Sequence, residues 1–473
     1  MRRTKIVATL GPATSTPHSI TEMVSAGMNV ARMNFSHGTH AEHAERIALV
    51  RDAARQLGQS VGVLQDLQGP KIRTGALADG KAVKLTAGQT FCITTEEIVG
   101  DAQRVSTTYE LLPHDVEAHD RILLSDGLIE LRVIKKTDTD VTTEITHGGA
   151  LREHQGINLP EVSVSAPALT EKDVEDLYFG LEQNVDYVAL SFVRSAADIH
   201  QVKEHIARAG KDVPVIAKIE RPEAVNALPD ILEIADCLMV ARGDLGVEMQ
   251  PSEVPIVQKQ IIEAANRSGI PVITATQMLE SMIRNPRPTR AEASDVANAI
   301  IDGSDAVMLS GETATGDYPI DAVKMMKLIA ETVEASGRRG DQGAVPRWSL
   351  PDIRSTPWAI GAAAGAIVDT IPVKAIVVFT QSGTSARIVA HFRPNVPILA
   401  FTPSEQVYRR LSLLWGVTPM RTEFVERLDD LDATVRGELV ERGHVQPGDT
   451  IVITGGHPTY RRGPTNFLKI QEV

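Results

Sequence analysis

Apolar positions along residues 4–312 follow two alternating rhythms. Short runs rich in Val, Ile and Ala are separated by longer stretches whose apolar residues fall three and four apart. The short runs read as strands and the longer stretches as amphipathic helices, because side chains realign every 2 residues along a strand and every 3.6 along a helix. Strands are predicted at 4–10, 30–36 and 61–66, with helices at 19–27 and 40–58 between them. Five more strands follow at 186–192, 213–220, 237–244, 270–277 and 305–312, the helical rhythm resuming from Thr170. Between the two groups, residues 71–167 carry short Val/Thr/Ile runs at turn spacing and no helical period, the pattern of an antiparallel all-β insertion. Three strands before the insertion and five after it make eight. That number fits a closed (β/α)8 TIM barrel interrupted after its third strand, although periodicity alone leaves a doubly wound open sheet as the alternative.

Residues 337–350, rich in Gly, Pro and Arg, read as a linker. Beyond them, apolar runs at 373–380, 397–402 and 450–456 alternate with helical patterns at 358–370, 385–392, 405–415 and 428–442. The expected domains are therefore 1–70 with 168–336 as the barrel, 71–167 as an inserted β-barrel lid, and 350–473 as a C-terminal α/β regulatory domain.

Composition narrows the function classes. The 473 residues are 42% hydrophobic and 23% charged, as in a soluble globular protein, and the net charge is −13. That charge argues against nucleic acid or an anionic membrane as the main partner, while leaving room for a local basic pocket. Cys92 and Cys237, both within apolar runs, are expected to be buried free thiols in a reducing compartment. The basic start MRRTK leads into a strand rather than the apolar core of a signal peptide, and the apolar window at 358–368 is too short to span a bilayer. A cytoplasmic location is expected.

In such a barrel, inward-facing residues at the C-terminal strand ends build the active site. On the second strand Arg32, Asn34 and Ser36 share one face, opposite Ala31, Met33 and Phe35. Lys218 and Glu220 share a face on the fifth, and Arg242 and Asp244 repeat that spacing on the sixth around Gly243. Each has a bland reading: a polar layer closing the barrel, a buried ion pair, a tight Gly-Asp turn. Together, neighbouring strands each deliver a base and an acid at one height. Glu220 and Asp244 then suit a hard divalent cation that keeps waters, hence Mg²⁺ (or Mn²⁺) rather than zinc, with Lys218 and Arg32 facing an anion. Thr276 ends the seventh strand, Ser310 and Glu312 the eighth, and Asp66 the third, just before the insertion begins at Gly69-Pro70. A hinged β domain at a barrel mouth is a natural lid for excluding water.

At these residues the chain resembles the pyruvate kinase family, through TKIVATLGPAT, GMNVARMNFSHG, DLQGPKIRTG, KIERPEAV, MVARGDLGVE, ATQMLESMI and DAVMLSGETATGDYP in that order. The resemblance implies transfer of phosphate from phosphoenolpyruvate to ADP, giving pyruvate and ATP. Glu220 and Asp244 would be the divalent-metal ligands, Arg32 and Lys218 the groups on the phosphoryl in flight, and Gly243, Asp244 and Thr276 the carboxylate and enolate contacts. Arg73 would meet the nucleotide phosphates, and Thr276 with Ser310 would relay the proton to enolpyruvate. Asn34, Ser36, Asp66 and the carbonyl of Leu67 match the family's K⁺ site, but Lys71 stands where K⁺-dependent members carry Glu, so its ammonium is expected to replace that ion. Gln155 stands where the family often has a nucleotide-contacting Lys. In the C-terminal domain, Thr380, Ser382, Gly383, Thr384 and Ser385 at a helix start, with Arg461 and Arg462, resemble an effector pocket for a phosphorylated metabolite; plain helix capping is the bland reading. The resemblance also implies a homotetramer. A Mg²⁺-dependent lyase or aldolase on the same barrel and a degenerate metabolite-sensing module are the rival readings.

Overall fold

The computed structural model describes residues 2–337, 355–423, 428–459 and 462–473; beyond Gly337 the predicted linker lies outside them. Eight parallel strands close into a barrel: Lys5–Thr9, Val30–Asn34, Gly62–Asp66, Tyr187–Leu190, Val215–Ile219, Cys237–Ala241, Val272–Ala275 and Ala306–Leu309. Closure, which periodicity left open, is decided by the first strand pairing with the eighth, Lys5 beside Ala306 through Ala8 beside Leu309. The strands are apolar on both faces because both are covered. Their outward side chains join the helices in one core, and inward ones such as Val7, Leu64, Ile216, Met239 and Met308 fill the barrel itself.

Two boundaries move in ways that matter below. The second strand stops at Asn34, whose side-chain oxygen accepts from the Ser36 amide at 3.1 Å in an Asx turn, so Ser36 is not on the strand face. The sixth strand stops at Ala241, and Arg242–Glu248 is a short helix.

Between the third and fourth strands the chain forms a six-stranded sheet and a two-stranded ribbon around a separate core that includes Phe91, Ile93 and Leu131. Among its named strands, only Thr90–Thr94 and Arg104–Ser106 pair in parallel. Barrel and insertion are tied by Asn158 Nδ2 donating to Glu248 Oε1 at 3.0 Å and by Arg221 donating to the Val162 carbonyl at 3.1 Å.

The C-terminal sheet runs in the order Val417–Arg421, Ile398–Thr402, Ala375–Phe379, Thr450–Gly455, Phe467–Glu472, its last strand antiparallel. It covers the N-terminal ends of the barrel strands. Lys5 Nζ reaches the Val417 carbonyl at 2.6 Å, Arg393 pairs with Asp305 at 3.0 Å and lies 4.8 Å over the Trp415 ring, and Tyr187 donates to the Arg410 carbonyl at 2.5 Å. The opposite mouth is left to the insertion. Cys237 is buried, Cys92 only half-buried, and both thiols are free. Among the described residues, no helix is long and apolar enough to cross a membrane.

Candidate active site

The exits of strands three to five converge on one ammonium. Lys218 Nζ lies 2.8 Å from Glu220 Oε1 and 3.3 Å from Asp66 Oδ1, and donates to Ser191 Oγ at 2.7 Å. Burial works against its charge, but Asp66 and Glu220 more than reverse that and hold its pKa well above the usual lysine range. Asp66, 1% exposed, binds Arg32 Nε at 2.6 Å through its other oxygen, and Arg32 also donates to Thr9 Oγ1 at 2.9 Å. Burial would raise the Asp66 pKa, yet the Lys218 and Arg32 cations bring it below the usual carboxylate range. Among the described residues, no protein group takes the second terminal nitrogen of Arg32, which leaves that donor available to an anion.

Ser191 was not foreseen. It ends the apolar run of the fourth strand, where a hydroxyl looks like an ordinary strand exit. Its Oγ accepts from Lys218 and donates to the Leu67 carbonyl at 2.8 Å. Its height, level with the other strand ends, was the available signal. The next residue, Phe192, takes a left-handed backbone (φ +55°), and its amide donates to Glu220 Oε2 at 2.8 Å.

Arg242 and Asp244 do not share a strand face, because the helix begins at Arg242 and turns the two apart. Arg242 instead grips the exit of strand seven, donating to the carbonyls of Thr276 at 2.7 Å and Ala275 at 3.3 Å while pairing with Asp295 at 2.6 Å. Those bonds hold two adjacent left-handed residues, Thr276 (φ +69°) and Gln277 (φ +53°). For β-branched Thr276 this is real strain, which persists only where surroundings impose it. Thr276 Oγ1 then accepts from the Gly243 amide at 2.7 Å.

Asp244 opens onto solvent by area, yet enough protein surrounds it that desolvation pushes its pKa up, with Lys218 opposing and Asp126 of the insertion adding to the rise. Glu220 is also raised, by burial first, which Lys218 offsets only in part and Asp244 reinforces. Two desolvated carboxylates that disfavour each other's charge fit a shared cation. Among the described residues, no group of three or more His, Cys, Asp or Glu could form an all-protein metal cage. A two-carboxylate donor set suits a cation that keeps its own waters.

At the eighth strand Glu312, fully buried, accepts from the amides of Ser310 at 2.7 Å and Leu279 at 3.0 Å, which makes it a backbone organiser. Ser310 Oγ is buried and, among the described residues, has no hydrogen-bond partner. Of the residues matched to a K⁺ site, Asn34 is engaged by Ser36, the Leu67 carbonyl by Ser191, and Asp66 by two cations. Lys71 is brought into the same field: burial, then Arg73 and Lys218, push its pKa down to about 8, against the attraction of Asp244 and Asp66. Arg73 lies on the insertion side, donating to the His154 carbonyl at 3.3 Å, and Gln155 donates to the Glu153 carbonyl.

In the C-terminal domain, Thr380, Ser382, Thr384, Ser385 and Arg462 line one cavity of about 370 Å³. Gly383 (φ +89°) stands at the N-cap of the helix Thr384–His391, and of the bland capping reading there remains a long bond from the Thr384 amide to Ser382 Oγ at 3.5 Å. Thr380 Oγ1 accepts from the Gly383 amide at 2.8 Å, and Ser385 pairs with Thr465 at 2.7 Å. Arg461 lies outside the described residues.

With this geometry in hand, comparisons with known proteins are specific. Residues 1–323 match the family described as pyruvate kinase, barrel domain, and residues 358–471 the one described as pyruvate kinase, alpha/beta domain. Over the whole chain it is 45% identical to a pyruvate kinase of Sporosarcina psychrophila and 46% identical to one of Staphylococcus aureus, covering 81% of each. A crystal structure of a pyruvate kinase from Cryptosporidium parvum superposes with a TM-score of 0.93 at 35% identity, covering 100% of this chain and 96% of that one.

Proposed function

The chain belongs to the pyruvate kinase family, and from that premise we propose how its own residues carry the reaction. The enzyme is a pyruvate kinase of glycolysis: the phosphoryl group of phosphoenolpyruvate passes to ADP, giving pyruvate and ATP. Lys218 stabilises the phosphoryl group in flight. Its proton is secured by two carboxylates, so it serves as a fixed charge rather than a base. Arg32, oriented by Asp66 and Thr9, binds the same group through its remaining nitrogen. Glu220 and Asp244 would hold Mg²⁺ (or Mn²⁺), which when bound supplies positive charge to the substrate's oxygens. The amides of Gly243 and Asp244, with Thr276, contact carboxylate and enolate, the Gly243 amide exchanging Thr276 for substrate. Ser310, whose hydroxyl is buried without a partner among the described residues, suits a water-mediated proton relay with Thr276. Arg73, on the lid side, meets the nucleotide phosphates.

The observation that carries this reading is the convergence of Asp66, Ser191 and Glu220 on Lys218 Nζ. Lys218→Met is expected to lower kcat by about 10²–10³, the effect of removing one fixed transition-state charge, with the fold retained by circular dichroism. Near-normal turnover would contradict the role.

Three finer readings rest on the same frame. The Lys71 ammonium replaces K⁺, supported by its place in the field of Asp244 and Asp66, whose attraction works against burial, Arg73 and Lys218; a large stimulation by K⁺ in K⁺-free buffer sinks it. A phosphorylated metabolite activates the enzyme from the C-terminal cavity, supported by the hydroxyls and Arg462 lining it; unchanged activation in Arg462→Ala refutes this. The enzyme is a homotetramer, which a solution mass far from four times 51.1 kDa excludes.

A further inference from the structure

Four residues of the C-terminal domain, Trp358, Ser382, Thr384 and Arg387, line the 370 Å³ cavity and also a larger one of about 1100 Å³ between that domain and the barrel. Of these, Trp358 and Arg387 grip a single barrel residue. Arg387, on the helix that opens beside the effector cavity, donates to the Gly269 carbonyl at 2.7 Å. A Cβ placed on Gly269 would lie only 2.3 Å from the Trp358 ring, so the indole packs directly on that backbone.

Gly269 is the left-handed cap (φ +66°) of the helix Val254–Ser268, whose C-terminal carbonyls attract a guanidinium. Among the described residues, Arg387 makes no ion pair, so its hold on the barrel is this carbonyl. Eleven residues earlier, roughly 16 Å along the helix, Gln258 accepts from Arg242 at 3.3 Å and donates to Asp302 at 3.2 Å. Arg242 in turn holds the Thr276 carbonyl at 2.7 Å, and Asp244 lies two residues further on. One rigid helix therefore runs from the cavity-lining arginine to the residues that set the strained Thr276.

We propose that Arg387 is the positioning residue that couples ligand occupancy of the C-terminal cavity to the active site, by exchanging the Gly269 carbonyl for a ligand phosphate. The inference rests on the effector reading above. A phosphate dianion displaces a neutral carbonyl because its hydrogen bonds to guanidinium are charge-assisted and bidentate. Once released, the helix end is free to shift, and the shift arrives at Gln258, Arg242 and Thr276. The two states differ in one named contact, as a coupling requires.

The test uses the full-length enzyme with AMP, glucose 6-phosphate and inorganic phosphate as probes, measuring calorimetric binding together with KM and kcat for phosphoenolpyruvate. In the unmodified enzyme, a bound probe is expected to lower KM by about fivefold or more, with kcat changed less. Arg387→Met still binds that probe through Ser382, Thr384 and Arg462, but its KM no longer responds. By reciprocity, phosphoenolpyruvate tightens probe binding only where Arg387 is present. Arg387→Lys, which keeps a donor and a charge, restores part of the response and serves if the Met variant fails to fold. A full KM response in Arg387→Met overturns this inference and leaves the effector reading standing. Failure of every probe to bind the unmodified enzyme overturns both. Persistence of the Arg387–Gly269 bond in a probe-bound crystal structure overturns the exchange.

Discussion

Residue by residue, the centre of the site is a knot of opposite charges in which Arg32, Asp66, Lys218 and Glu220 hold one another. Asp66 was read from its place at a strand end, matched to a cation site; in the fold it orients Arg32 and holds Lys218. Ser191 extends the same logic. Its hydroxyl takes one Lys218 N–H and ties it to the Leu67 carbonyl, so Ser191→Ala should let the ammonium wander. Losing one hydrogen bond to a charged group, ~1.5 kcal/mol, is expected to reduce kcat about tenfold and leave KM for phosphoenolpyruvate nearly unchanged. Steady-state kinetics checks this, and a change confined to KM would point to a binding role instead. Lys218 and Glu220 were legible because a period of two on a strand needs only local geometry. Arg242 and Asp244 were misread by the same rule, because the strand had ended one residue earlier.

The strand exits and the turns that follow them, rather than the strands themselves, carry the strain and the specificity. Thr276 and Gln277 are left-handed after strand seven and Phe192 after strand four. Each is imposed by a partner from elsewhere: Arg242 on the first two, Glu220 on the third. Glu312 plays the corresponding part for strand eight, accepting two amides with no exposed surface of its own. Glu312→Ala is expected to destabilise the protein by about 3 kcal/mol, two hydrogen bonds to a charged acceptor at ~1.5 each, and to lower turnover through displacement of Ser310. Denaturant midpoints and kcat measured on the same preparation test both parts. A loss of turnover without loss of stability would make Glu312 a direct participant. Glu312 stood out as an acid at a strand end, but its partner left no local signature, since Leu279 is far from it in sequence and contributes only a backbone amide.

At the scale of the molecule, the two ends of the barrel do different work. The insertion is tied to the mouth through Asn158 and Glu248, while the C-terminal domain seals the base through Lys5, Asp305 and Tyr187. Lys5 is the titratable feature of that seal: burial, then the neighbouring Arg2, push its pKa down to about 7. The unfolded chain keeps this proton to a pH of about 10.4, so between those values the unfolded state binds more protons and stability rises with pH, by up to about 1.4 kcal/mol per unit. The urea midpoint of the unmodified protein should therefore gain on that of Lys5→Met between pH 7.5 and 9, and parallel curves would exclude the effect. Strand number, the place of the insertion and the presence of a third domain were all readable in the chain, because burial on both faces of a parallel strand writes a continuous apolar run and a solvent-facing helix writes a stripe. The acids and bases at strand ends were readable for the same reason, as polar residues where packing requires none. Closure of the barrel, the partners of Lys218, the helix that parts Arg242 from Asp244, and the grip of Arg387 on Gly269 were decided only in three dimensions. Apart from that helix, which is a local break in the strand, these depend on residues distant in sequence meeting at hydrogen-bond range, as Asp66 and Ser191 meet Lys218, and such meetings are fixed by the packing of whole elements, on which local periodicity is silent.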